Sequence, residues 1–123
     1  MKIYIGKSLD DGATWNFEEV LSGDYYYPSL AIDPDGRLWV VYWNGTLTDP
    51  TTTGDIEIIY SDDEGETWSG AVVVAAGIRG QNAGITINLD GKIWVSIIQA
   101  ALTQRFYYSE DRGATWNFEE QVG

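Results

Sequence analysis

The stretch Ser61-Asp62-Asp63-Glu64-Gly65-Glu66-Thr67-Trp68 decides the fold, because the chain carries it three times. An earlier copy reads Ser8-Leu9-Asp10-Asp11-Gly12-Ala13-Thr14-Trp15, and a later one Ser109-Glu110-Asp111-Arg112-Gly113-Ala114-Thr115-Trp116. All three fit Ser-x-Asp-x-Gly-x-Thr-Trp, and their starts lie 53 and then 48 residues apart. A fixed period of this size signals an array of similar supersecondary units. The residue types of the box suit a tight turn. Ser and Asp side chains accept hydrogen bonds from turn N–H groups, Gly supplies a positive φ, and Trp fills the space between neighbouring sheets. Asp62-Asp63-Glu64 and Asp33-x-Asp35 are acidic enough for calcium. They lack the EF-hand spacing and its distal Glu, so the boxes are expected to hold turns and no metal is expected.

A second repeat lies between the boxes. Asp35-Gly36-Arg37-Leu38-Trp39-Val40 matches Asp90-Gly91-Lys92-Ile93-Trp94-Val95, 55 residues later. Each Asp-Gly joins two short β-rich runs and reads as a hairpin turn. The pattern predicts strands at 2–8, 14–21, 27–33, 37–43, 55–61, 67–75, 82–88, 92–99, 104–109 and 115–122. No segment keeps the apolar stripe of a helix. Leu38-Trp39-Val40-Val41-Tyr42-Trp43 is apolar or aromatic throughout, and Ile93-Trp94-Val95-Ser96-Ile97-Ile98 nearly so. A strand with one wet face would alternate, so both faces of these strands are expected to be covered. Radially stacked sheets do this, whereas a two-sheet sandwich leaves its outer faces wet. The expected fold is all-β: a β-propeller with about two and a half four-stranded antiparallel blades. Residues 1–22 form a half blade, and 23–76 and 77–123 form blades.

Composition narrows the function. The 123 residues carry 7 basic and 19 acidic side chains, a net charge of −12. That balance excludes nucleic-acid binding through a basic patch and argues against an anionic membrane surface. Cysteine and histidine are absent, which excludes disulfides, thiol nucleophiles and His-based triads. No apolar run approaches the roughly 20 residues of a membrane-crossing helix. The opening residues do not read as a secretory signal, and the localisation is left open. No cofactor is expected.

The boxes resemble the Asp-box, or BNR, repeat of sialidases and related β-propellers. Tyr27-Pro28-Ser29-Leu30-Ala31-Ile32-Asp33-Pro34-Asp35-Gly36-Arg37-Leu38 resembles the innermost strand and turn of such a blade. Similar boxes occur in sortilin-like receptors, photosystem assembly factors and xyloglucan hydrolases, so the motif speaks for fold more than for activity. The resemblance implies that the box turns lie opposite the working face. Loops 20–28, 43–55, 75–83 and 99–105 would build that face. Candidate ligand-binding residues there are Tyr25, Tyr26, Tyr27, Arg79, Gln81, Asn82 and Arg105. Aromatic planes stack on sugar rings, and amides and guanidinium groups bond hydroxyls. Asn44-Gly45-Thr46 matches a glycosylation sequon and is equally a turn signal.

Sialidases hold the substrate carboxylate with three arginines and use a Tyr–Glu pair as nucleophile and an Asp as acid. Their first arginine leads into the inner strand. Here Tyr26-Tyr27-Pro28 stands at that place. The chain has four arginines, and two of them, Arg37 and Arg112, fall in turns at the box end. The expectation is a non-catalytic binding or structural module with no catalytic residues and glycans as ligands. The alternative is a sialidase-like glycoside hydrolase whose site is assembled across subunits. Closed rings have typically 4–8 blades, so a homo-oligomer, dimer or trimer, is expected to complete one.

Overall fold

Ten strands and no helix make up the described residues, 2–46, 53–79, 82–99 and 103–119, of a computed structural model. They are β1 (Lys2–Lys7), β2 (Asn16–Ser22), β3 (Tyr25–Ile32), β4 (Leu38–Asn44), β5 (Thr53–Ser61), β6 (Val72–Arg79), β7 (Ala83–Ile87), β8 (Ile93–Gln99), β9 (Thr103–Ser109) and β10 (Asn117–Glu119). All pairing is antiparallel. β3-β4-β5-β6 and β7-β8-β9-β10 form four-stranded sheets, and β1-β2 forms a two-stranded one. These are two blades and a half.

Each strand of the sequence reading is present, with three corrections. β6 begins at Val72 rather than at 67. The box hairpin runs on past its Trp, because Tyr60 N donates to Ser69 Oγ at 2.9 Å and Ser69 N to Tyr60 O at 2.8 Å. β3 begins at Tyr25, so the expected loop 20–28 shrinks to the turn at 23–24. Tyr27 sits in a bulge between Tyr26 and Ser29 with φ of 58°. A left-handed tyrosine costs roughly 1 kcal/mol, and the packing of its neighbours holds it there. The third correction concerns β8, whose two faces were both expected to be covered. Ile93, Val95 and Ile97 are buried against the middle blade, while Trp94 and Ser96 are half-buried and Ile98 is exposed.

β4 has the double burial that its composition requires. Trp39, Val41 and Trp43 point to the third sheet and join Ile56, Ile58, Ile93, Val95 and Ile97 in the main core. Val40 and Tyr42 point the other way and join Ile3 and Ile59 in a smaller core. Each cluster fills a junction between neighbouring sheets. At roughly 1.5–3 kcal/mol per fully buried large apolar side chain, these junctions dominate the stability. The box tryptophans finish them. Trp116 packs on the larger cluster and Trp68 on the smaller, whereas Trp15 remains exposed.

Candidate functional site

The two ends of the blades differ in chemistry. At one end sit the boxes, and they share a hydrogen-bond scheme. The Ser hydroxyl accepts from the Gly N–H at 2.8 Å in all three and donates to an Asp oxygen. That oxygen accepts the Thr N–H, and the other accepts the Thr hydroxyl. The Trp indole N–H donates to the Gly carbonyl at 3.1 Å. Asp11, Glu64 and Arg112 have φ near 60°, and the following Gly12, Gly65 and Gly113 have φ of 87°, 90° and 83°. Two successive left-handed residues make the mirror-image turn that hairpins favour. The Thr hydroxyl, followed by the Thr N–H, draws the carboxyls of Asp63 and Asp111 down to about 2, and that of Asp10 down as well. Both oxygens of each box aspartate are thus engaged by the turn.

The box end also absorbs two of the arginines. Arg37 makes a two-pronged ion pair with Asp62 at 2.7 and 2.9 Å and lies over the Tyr60 ring at 3.8 Å. Arg112 reaches back one blade to Asp33 at 3.4 Å. Burial pushes the Asp33 carboxyl up, but bonds from Trp39 Nε1 and the Arg37 and Asp35 N–H groups hold it below its ordinary value.

The opposite end carries the candidate ligand residues. Tyr25, Tyr26 and Tyr27 are half-buried in β3 rather than free in a loop. Tyr25 meets Tyr42 edge-on at 5.2 Å, and Tyr26 tilts against Trp43 at 5.9 Å. Tyr26 and Tyr27 both pack on the main core, which includes Ala83 at the start of β7. β3 and β7 are neighbours, so the tyrosines and the exposed Asn82 belong to one end of adjacent inner strands. Arg79 closes β6, the outermost strand of its blade, and Arg105 is the third residue of β9, beside Ile97. No hydrogen bond or ion pair among the described residues joins Arg79, Asn82 and Arg105. Gln81 lies outside the described residues. Asn44, of the sequon, donates its side-chain amide to Glu57 at 3.1 Å.

One feature escaped the sequence reading. Glu57 also accepts a hydrogen bond from the Tyr42 hydroxyl at 2.9 Å, forming a Tyr–Glu pair across β4 and β5. Their separation of 15 residues carries no motif; only the strand register brings them together. The Tyr42 ring is buried between the first and second sheets. Burial, then the Glu57 carboxylate, pushes its phenol far above the ordinary value. The pair keeps its proton and serves the junction.

Comparison with known proteins agrees with this geometry. The family described as BNR/Asp-box repeat matches residues 59–69 and 107–118, and that described as two component regulator propeller matches residues 20–44. A sialidase of Paraclostridium sordellii is 27% identical over an alignment covering 94% of this chain and 38% of that protein. Among solved structures, a Hadza microbial sialidase matches with a TM-score of 0.72 at 21% identity, covering 99% of this chain and 31% of that one. A protein of unknown function from Dyadobacter fermentans gives 0.76 at 16%, covering 98% and 43%. An α-L-arabinanase of Penicillium chrysogenum, complexed with arabinobiose, gives 0.61 at 20%, covering 99% and 36%. The chain has the BNR/Asp-box β-propeller fold of the sialidase-like type, and it spans well under half the length of these relatives.

Proposed function

We propose that this chain is a non-catalytic, carbohydrate-binding unit of an Asp-box propeller. The observation that carries the reading is the fate of the groups a sialidase would need. Arg37 and Arg112 are held in ion pairs at the box end, and Tyr26 stands in β3, where the resemblance to sialidases would put the first arginine. Arg79 and Arg105 stand on different strands of different blades. Tyr42 is buried against half-buried Glu57, and its phenol stays protonated. What the working end offers instead is aromatic surface at Tyr25–Tyr27 and the exposed amide of Asn82, groups that suit sugar rings and hydroxyls.

The second reading is a sialidase-like hydrolase whose site is completed by further blades, and the likeness to two sialidases favours it. A glycan array paired with a fluorogenic sialoside assay separates the two. The expected result is glycan binding weakened by Tyr26→Ala, with no turnover. Turnover above background that is abolished by Arg105→Ala would overturn the proposal.

A further inference from the structure

Asn44-Gly45 is the chain's one Asn-Gly pair. At the centre of a hairpin turn such a pair supplies positive φ. Asn44 instead ends β4, paired on both sides, with Tyr25 of β3 and Asp55 of β5. Gly45 has no positive φ, and what demands glycine there is room. A Cβ at Gly45 would come within 2.5 Å of the Trp43 ring. Packing thus places glycine directly after asparagine, and that order carries a chemical liability. With no side chain to shield it, a glycine nitrogen can attack the asparagine before it.

The reaction needs only the chain and water. Gly45 N gives up its proton and bonds to Asn44 Cγ. The bond from Cγ to Nδ2 breaks, and ammonia leaves with a proton. Water then opens the cyclic imide at either carbonyl and leaves an aspartate or its β-linked isomer. In the folded chain both reacting groups are tied. Gly45 N donates to Asp24 O at 3.0 Å, and Asn44 Nδ2 donates to Glu57 Oε2 at 3.1 Å. The Thr46 hydroxyl adds a bond to the Asp24 carboxylate at 3.4 Å. An N–H held by a carbonyl resists losing its proton, and a carboxamide anchored on Glu57 is kept from swinging back to Gly45.

The product would not suit the site. A new carboxylate oxygen would face Glu57 Oε2 where an N–H now donates, while Oε1 already accepts from the Tyr42 hydroxyl at 2.9 Å. The groups around it are Tyr25 of β3, Tyr42 of β4, Asp55 and Glu57 of β5, and Asp24 before β3. None is a cation, and no ion pair among the described residues reaches those three acids. Two facing carboxylates repel until one of them binds a proton. The β-linked isomer lengthens the backbone and breaks the register of Asn44 with Tyr25 and Asp55.

We propose that Asn44 is a deamidation site that the fold holds shut. Opening of this end of β3, β4 and β5 exposes it to a change that the closed strands do not accommodate.

The test uses the whole chain, held folded in mildly alkaline buffer or unfolded in urea at the same pH. Digestion and mass analysis of the peptide holding residue 44 give the two rates. The folded chain is expected to deamidate there at least about tenfold more slowly. Two variants read the consequence. Asn44→Asp and Asn44→Ala both lose the bond to Glu57, and only the first adds a carboxylate. Asn44→Asp is expected to melt at least about 3 °C below Asn44→Ala at neutral pH. The gap should close in mild acid, where one facing carboxyl is protonated, and in a Glu57→Gln background, where only one is left. Should Asn44→Asp be unfolded at neutral pH, Glu57→Gln is expected to restore the fold. Equal deamidation rates in the folded and unfolded chain would overturn the proposal. So would an Asn44→Asp variant as stable as Asn44→Ala, or a deficit that Glu57→Gln leaves in place.

Discussion

The junction between the second and third sheets is complete, and the one between the first and second is half built. In the complete junction every position along the inner and middle strands has something to lie against. Trp39, Val41 and Trp43 of one sheet meet Ile93, Val95 and Ile97 of the next, and Gly113 brings its turn onto the Trp39 ring. A Cβ at Gly113 would come within 2.9 Å of that ring, so close approach, and not only the positive φ, demands glycine there. In the half-built junction, Ile3 and Ile5 cover the outer part of the middle blade, and Gly65 rests near Ile5. Leu30 and Ile32 on the inner part stay bare. Burial on both faces of a strand is therefore a property of neighbours, and a blade is stable in proportion to the sheets that flank it.

The contrast can be broken by truncating one residue from each junction. Trp39→Ala in the complete junction is expected to cost about 3–5 kcal/mol through lost burial and the cavity left behind. Leu30→Ala in the half-built junction is expected to cost less than about 1 kcal/mol, because the side chain already meets solvent. Urea denaturation of the two variants makes the comparison, and equal losses would show the first junction to be covered after all.

Acid sharpens it further. Hydrogen bonds from Thr67 and Thr115 set the depressed values of Asp63 and Asp111, in the two boxes seated against a neighbouring sheet. A depressed carboxyl stabilises the fold above its ordinary value of 3.8, and that contribution is lost as pH falls from there to about 2. Thr67→Val removes the largest cause, so the acid transition followed by circular dichroism should move to higher pH. Thr14→Val, in the box whose turn meets no preceding sheet among the described residues, should move it less. An equal displacement by both would mean that seating the box adds nothing.

Much of this was legible in the sequence, and the gaps have physical reasons. Ten strands followed from the Asp-Gly turns and the three boxes, because short-range turn chemistry fixes hairpins. The left-handed residue before each box glycine gave no signal, since Asp11, Glu64 and Arg112 share no chemistry. The run Ile93–Ile98 reads as covered on both faces because a sequence does not record what stands beside a sheet. The traces of exposure were there: Ser96 stands where the covered blade has Val41, and Gln104 where it has Ile56. The sequence reading begins β3 at 27, which leaves Tyr25 and Tyr26 in the loop 20–28. In the structure, packing on Trp43 and Tyr42 draws them into the strand. The candidate site was the least legible part, since it depends on loops from different blades and on the strand register that pairs Tyr42 with Glu57.

Hydrogen exchange, resolved by residue on the 123-residue chain, tests most directly whether it forms two whole blades and a half. Amides of β4 and β8, each paired on both sides, should exchange only with global unfolding. Amides of β1 that point away from β2 should exchange orders of magnitude faster, while those bonded to β2 stay slow. Uniform protection across β1, equal to that of β4, would contradict the account.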